Sequence, residues 1–247
     1  MAITSNEFWI VFGALLALVA FLYSSVGHGG ASGYLALMAI FSFPISIMKP
    51  SALILNLFVS GISFFFYYKK DFFKFKLFYP FAIASVPAAF IGGMIPLENK
   101  FYKILLGIVL IVAALRLFGF FKNTEKHNVT LNIPFAMGIG FGIGLLSGML
   151  GIGGGVILSP ILLFLGWATL KETAAISSLF IFVNSIAGLS GYFIGENTFP
   201  TQSFYLVPIA VFGGIAGAYY GSGYFSNKAL KYVLATVIAL ASIKLIV

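Results

Sequence analysis

Long apolar runs separated by short polar stretches organise the whole chain. Residues 8–48, 50–68, 77–97, 128–170, 173–195 and 197–227 contain no Lys, Arg, Asp or Glu. A helix that crosses a bilayer needs about 20 apolar residues, and runs 50–68, 77–97 and 173–195 each match one crossing. Residues 99–121 and 226–246 read as further helices, with Arg116 and Lys244 near their far ends, where long side chains reach back to the interface. Runs 8–48 and 128–170, at 41 and 43 residues, are too long for one pass.

Glycines cut both long runs in the middle. The first cut is Ser24-Ser25-Val26-Gly27-His28-Gly29-Gly30-Ala31-Ser32-Gly33, and the second is Ser147-Gly148-Met149-Leu150-Gly151-Ile152-Gly153-Gly154-Gly155-Val156. The pieces flanking the second cut hold 16 residues from Pro134 to Met149 and 10 from Val156 to Leu165, short for full spans. Each long run is expected to be a helix–glycine turn–helix hairpin whose tip lies inside the membrane.

The chain repeats itself. A shift of 124 lays Gly27-His28-Gly29-Gly30 on Gly151-Ile152-Gly153-Gly154. A shift of 128 lays Asn56 on Asn184, Pro80 on Pro208, Gly93 on Gly221, Asn99-Lys100 on Asn227-Lys228, Lys103 on Lys231 and Arg116 on Lys244. Residues 1–121 form one repeat, 122–133 a cytoplasmic linker and 134–247 the other repeat, together one transmembrane domain. Lysine and arginine collect on the cytoplasmic side. With the loop of Lys69, Lys70, Lys74 and Lys76 inside and the matching loop of Glu196 outside, ten basic residues fall inside and four outside. The expected fold is therefore an all-α polytopic integral membrane protein. It is an inverted repeat of two halves, each a Gly-tipped helical hairpin plus three transmembrane helices.

Composition removes the alternatives to a membrane. Of 247 residues, 61% are hydrophobic and 8% charged, with a mean hydropathy of +1.08. A soluble domain is nearer half apolar and a quarter charged, so soluble enzymes, nucleic-acid binders and disordered chains are excluded. The net charge of +8 reads as topology. With no cysteine there is no disulfide framework or thiolate site. No metal, cofactor or catalytic residue is assigned, because there is no His-Glu-x-x-His motif and neither histidine has an evident catalytic partner. The N-terminus does not read as a removable signal peptide, having no Lys or Arg ahead of its apolar run.

The tips carry the candidate chemistry. A helix that starts after a glycine turn presents free N–H groups and the positive end of its dipole, and glycine lets a ligand approach the backbone. Gly27, Gly29, Gly30, Gly151, Gly153, Gly154 and Gly155 are the candidate anion-binding backbone; turn and packing roles are the other reading. His28 donates to an anion, changes protonation during transport, or is a neutral, hydrogen-bonded tip residue; its repeat mate is Ile152. Asn56 and Asn184 contact substrate or bond a neighbouring helix. Ser24, Ser25, Ser177 and Ser178 are weaker candidates. Lys49 and Lys171 follow the hairpins and either draw anions toward the path or sit solvated at helix ends. Rows Gly140, Gly144, Gly148 and Gly213, Gly217, Gly221 suit helix packing, and Phe64–Tyr68 suits an interfacial belt. Cation and proton carriers commonly hold carboxylates inside the membrane. All six acids here lie between or at the edges of the apolar runs, which favours an anionic or neutral substrate.

Residues 147–160, Ser147-Gly148-Met149-Leu150-Gly151-Ile152-Gly153-Gly154-Gly155-Val156-Ile157-Leu158-Ser159-Pro160, resemble the Gly-rich signature of the sulfite exporter TauE/SafE family, also called the TSUP permeases. The Gly-His-Gly-Gly stretch is similar to its partner motif, and the resemblance covers essentially the whole chain. It implies a multi-pass transporter of the bacterial or archaeal inner membrane that moves sulfite, sulfoacetate, related sulfonates or other small organic anions. Secondary transport by alternating access at a midplane site is the expected function, with a small anion and the lipid bilayer as partners, no nucleic acid, and a homo-oligomer left open. A passive anion channel and an intramembrane enzyme are the alternatives.

Overall fold

The computed structural model describes residues 6–119, 131–195, 203–223 and 242–246, together with 201, 236 and 238–240. Lys122, Glu125, Lys126, Glu196, Asn227, Lys228 and Lys231, used above for repeat and topology, lie outside the described residues, as does the side chain of Arg116. Among the described residues all regular structure is helical. α1 (Asn6–Ser24) and α2 (Ala31–Ile40) form one hairpin, and α6 (Ile133–Leu150) and α7 (Gly155–Phe164) form another. Between and after them come α3 (Ile45–Tyr68), α4 (Phe75–Met94), α5 (Asn99–Leu117), α8 (Leu170–Gly195) and α9 (Ser203–Gly223), and 242–246 is again helical.

α1, α3, α4, α6, α8 and α9 are long and apolar enough to cross a membrane. Their outward faces expose Ile10, Ile83, Phe141, Ile186 and Phe212. Such a surface is stable against lipid, so this is a polytopic membrane protein. At 1.5 Å per residue, α2 and α7 reach roughly 15 Å, about half the hydrocarbon core. Each hairpin thus pairs a long arm with a half-length one.

Glycine makes both tips. The first closes when His28 N–H donates to Tyr23 O at 2.9 Å around Gly27 at φ +76°, a six-to-one helix end. The second closes when Gly151 N–H donates to Ser147 O at 2.8 Å with Gly151 at φ +78°. Gly153 and Gly154 then hold φ +71° and +79°, left-handed values that side chains adopt only under strain. The start of α8 is fixed by a capping box: Glu172 Oε2 accepts from Thr169 N–H at 2.9 Å, and Glu172 N–H donates to Thr169 Oγ1 at 3.3 Å.

α4 packs on α6 and α8, α9 packs on α1 and α3, and α3 packs on α8. Exchanging first-half elements for their second-half mates returns the same pairings. The mates α3 and α8 run antiparallel. Tyr192, late in α8, donates its hydroxyl to Ser46 O at the start of α3, whereas Lys171, at the start of α8, lies over the Tyr67 ring late in α3. The two glycine rows do pack helices. Gly140, Gly144 and Gly148 of α6 abut the backbone of Phe81, Ser85 and Ala89 of α4, and Gly213, Gly217 and Gly221 of α9 abut that of Ala17 and Phe21 of α1 and of Ser25 just after it.

Candidate functional site

The two tips meet at Asn56 and Ile181. Asn56 is the twelfth of 24 residues in α3, and Ile181 is the twelfth of 26 in α8, so the meeting point lies halfway along the two longest described helices. A Cβ on Gly29 would sit 2.9 Å from Ile181 Cγ2 and against the Asn56 amide. A Cβ on Gly153 would sit 2.8 Å from the same methyl, 2.5 Å from Asn56 Nδ2 and 3.3 Å from Ser185 Oγ. Both glycines are needed because backbone, amide and methyl already fill the space.

Asn56 touches both hairpins. Its Oδ1 accepts from Ala31 N–H, the first amide of α2, at 3.0 Å, and this fixes the amide's orientation. Nδ2 then points toward Gly153 and has no partner. Asn184 is placed differently. Its Nδ2 donates to Phe180 O at 2.8 Å and Ser85 Oγ at 3.0 Å, tying α8 to α4, while its Oδ1 stays unpartnered. The repeat mates therefore do different work.

Further unpartnered polar atoms lie on the same elements. Ser147 Oγ and Ser185 Oγ are buried without partners, and so is the hydroxyl of Tyr34, which lies against Gly30. Natural proteins rarely leave buried donors unsatisfied, so a group of them marks a place where something else bonds. Among the described residues, the N–H groups of Gly155 and Val156, which open α7, also have no acceptor.

His28 is buried at 3% exposure. Its Nδ1 lies 2.9 Å from Val26 O and its Nε2 lies 2.8 Å from Ser159 Oγ on α7. Ser159 also reaches Gly155 O and Ser177 Oγ of α8, each at 2.7 Å. Of the other candidate serines, Ser178 bonds a carbonyl in its own helix, Ser25 in the turn after α1 donates back to Leu22 O, and Ser24 donates to Gly214 O on α9. Gly27 and Gly151 serve the turns and sit farther from Asn56, against Ala174 and Lys49 respectively. Gly154 caps α7 against Ile143 and Phe180.

Lys49 is not a solvated end lysine: at 7% exposure it is buried, because α3 begins four residues earlier at Ile45. Its Nζ donates to Gly93 O at 3.1 Å and lies 5.4 Å from the Tyr192 ring centre. Lys171 repeats the pattern at the opposite ends of the same helices. Its Nζ donates to Gly221 O at 2.6 Å, the repeat mate of Gly93, and lies 5.7 Å from the Tyr67 ring centre. Each lysine thus ties the start of one central helix to the end of a flanking one (α4 for Lys49, α9 for Lys171). A cavity of about 110 Å³ opens beside Lys49, lined also by Ser46, Asn99, Tyr102, Met149 and Tyr192. Tyr102 closes its floor by donating to Leu150 O, one residue before the second tip turns.

Tyr67, from the expected aromatic belt, is buried and donates to Ser25 O, while Phe65 and Tyr68 face outward. The site residues that sequence spacing did not single out are Tyr34, Ile181 and Ser185. None carries a pattern of its own; only the crossing of α3 and α8 brings them to the tips.

Paired hairpins, each with one half-length arm, whose glycine backbone and unpartnered donors meet halfway along α3 and α8, resemble the broken-helix arrangement of membrane transporters. The sequence comparison gives the family. The chain matches the family described as Sulfite exporter TauE/SafE over residues 12–245, and it belongs to that family. It is 36% identical over 236 residues to the probable membrane transporter protein y4hK of Sinorhizobium fredii, covering 93% of this chain and 94% of that one. Over 94 residues it is 32% identical to the probable membrane transporter protein YunE of Bacillus subtilis, covering 38% of this chain and 34% of that one. Over 116 residues it is 34% identical to the probable membrane transporter protein MamO of Magnetospirillum gryphiswaldense, covering 44% of this chain and 18% of that one. No solved structure matches the chain.

Proposed function

We propose that this protein is a secondary transporter of a small anion, with sulfite, sulfoacetate and related sulfonates as the substrate class, working by alternating access in the inner membrane. The observation that carries the reading is the cluster at mid-depth. Asn56 Nδ2 and the opening N–H groups of α7 are donors without acceptors at a glycine turn. An anion accepts from them and gains the positive end of a helix dipole in a low-dielectric setting. Among the described residues the acids are Glu7, Asp71, Glu98 and Glu172, all at helix ends or in loops, so no carboxylate opposes an anion at the tips.

Alternating access has its own support. The antiparallel mates α3 and α8 and the half-exchanging pairings are what an inverted repeat produces. The matched Lys49 and Lys171 ties give each end of the molecule a latch that opens while the other holds. The cavity beside Lys49 offers an approach from that end.

Counterflow in proteoliposomes tests the reading. Vesicles loaded with unlabelled sulfite should concentrate labelled sulfite transiently, and the rate should saturate. Flux without saturation or counterflow identifies a channel. Consumption of sulfite without flux identifies an enzyme.

A further inference from the structure

We propose that His28 carries a proton that travels with the anion, so that the transporter moves its substrate as an anion–proton pair; the proposal rests on the transport reading above. Proton counting around Ser159 leads there. Val26 O can only accept, so His28 Nδ1 bears a proton. In the neutral imidazole Nε2 is then an acceptor and needs the Ser159 hydroxyl proton at 2.8 Å. Gly155 O, 2.7 Å from the same oxygen, also only accepts. Ser159 has one proton for two acceptors.

A proton taken up from acid in the solution at Nε2 removes that competition. Nε2–H then donates to Ser159 Oγ, and the Ser159 proton turns to Gly155 O. Ser177 supports both states, because at 2.7 Å it donates to Ser159 Oγ or accepts from it. The change runs from the first tip to the first residue of α7 in the second, so protonation alters the hairpin contact itself.

The charge is also linked to the proposed anion site, because His28 Nε2 meets Ser159, which reaches Gly155, whose N–H is one of the unpartnered donors. His28 immediately precedes Gly29, which packs on Asn56. An anion taken to mid-membrane alone is costly, and an imidazolium on the adjoining residue neutralises it. Binding of each then favours the other by the same factor. The remaining titratable and charged groups on the packed elements have partners of their own or are distant in kind. Tyr23, whose ring centre is 6.3 Å away, bonds Ser32 Oγ; Tyr34 on α2 stays a neutral phenol at physiological pH; Tyr67 and Lys49 of α3 bond Ser25 O and Gly93 O. On α8, Lys171 bonds Gly221 O and Glu172 caps its helix, and α7 carries no ionisable side chain.

The chain has two histidines, so His127→Gln leaves His28 as the sole imidazole. Full-length protein with ¹⁵N-labelled histidine, in lipid nanodiscs, should show the Nδ1–H tautomer at high pH and an imidazolium at low pH. At a fixed pH of about 6.5, the ordinary midpoint of histidine, adding sulfite should raise the imidazolium fraction. Ser159→Ala should abolish that response. In proteoliposomes a pH gradient should accumulate sulfite in the wild type, and the ratio of accumulation to sulfite–sulfite exchange should be lost in His28→Gln. An imidazole that keeps one protonation state from about pH 5 to 8 overturns the proposal, as does an imidazolium fraction indifferent to bound sulfite. Wild-type protein that moves neither sulfite nor sulfoacetate overturns instead the transport reading on which the proposal rests.

Discussion

Gly153→Ala is the most discriminating small change, because it adds one methyl at the meeting point of the tips. At φ +71° a residue with a Cβ is strained by roughly 1–2 kcal/mol. The new methyl also lies 2.5 Å from Asn56 Nδ2 and 2.8 Å from Ile181 Cγ2, so the amide must move. Moving it weakens the 3.0 Å bond to Ala31 N–H, worth about 1 kcal/mol. The sum is a loss of about 2–3 kcal/mol, or on the order of 5–10 °C in thermal midpoint for a chain of this size. Sulfite affinity should fall with it, since Nδ2 is displaced. Gly138→Ala and Gly142→Ala are the internal controls, because a Cβ there meets nothing within 4 Å. In a helix they should be neutral or gain about 0.5–1 kcal/mol. Thermal unfolding and calorimetric sulfite binding, measured on the same purified samples, check both. If Gly153→Ala melts and binds like the wild type, or Gly138→Ala costs as much, the tip geometry is wrong.

Asn56→Leu should lower sulfite affinity far more than Asn184→Leu, because Asn56 directs its Nδ2 at the second tip whereas Asn184 spends its Nδ2 on Phe180 and Ser85; equal losses by calorimetry would contradict this. Lys49→Met and Lys171→Met should shift the accessibility of Met149→Cys in opposite directions, since each lysine ties a different end, and shifts of one sign would remove the latch interpretation. Phe72→Cys and Asn197→Cys, in a chain without native cysteine, should be labelled from opposite sides of the membrane. Labelling of both from one side would exclude the inverted repeat.

Much of the architecture was legible because glycine leaves a dense trace. The glycines that break runs 8–48 and 128–170 include the ones where the backbone turns left-handed, and two of the glycines at these breaks, Gly29 and Gly153, reach Asn56. Helix starts were less legible. α3 begins at Ile45, ahead of Lys49 and Pro50, since an extended Pro44 before the first turn sets the boundary. Lys49 therefore comes to lie under Tyr192, a neighbour more than a hundred residues away that no local pattern names. The repeat also misled in one respect. Asn56 and Asn184 match by position, yet each amide's role is set by its cross-helix neighbours, Ala31 for one and Ser85 for the other. Ser159 was visible only as part of a glycine motif; its link to His28 joins residues 131 apart.

Ile181 packs one methyl against both Gly29 and Gly153. If the hairpins gate the path as proposed, this shared contact has a consequence for energy conservation. If both hairpins withdrew at once, the methyl would lose its packing on two sides and the membrane would gain a continuous leak, so the doubly open form is the least stable arrangement. Opening one side leaves the methyl seated on the other. In the proposed alternating-access cycle, tightness against dissipation of the electrochemical gradient would rest in part on this aliphatic side chain, which a charge or an unpaired hydrogen-bonding group could replace only at greater cost at that depth.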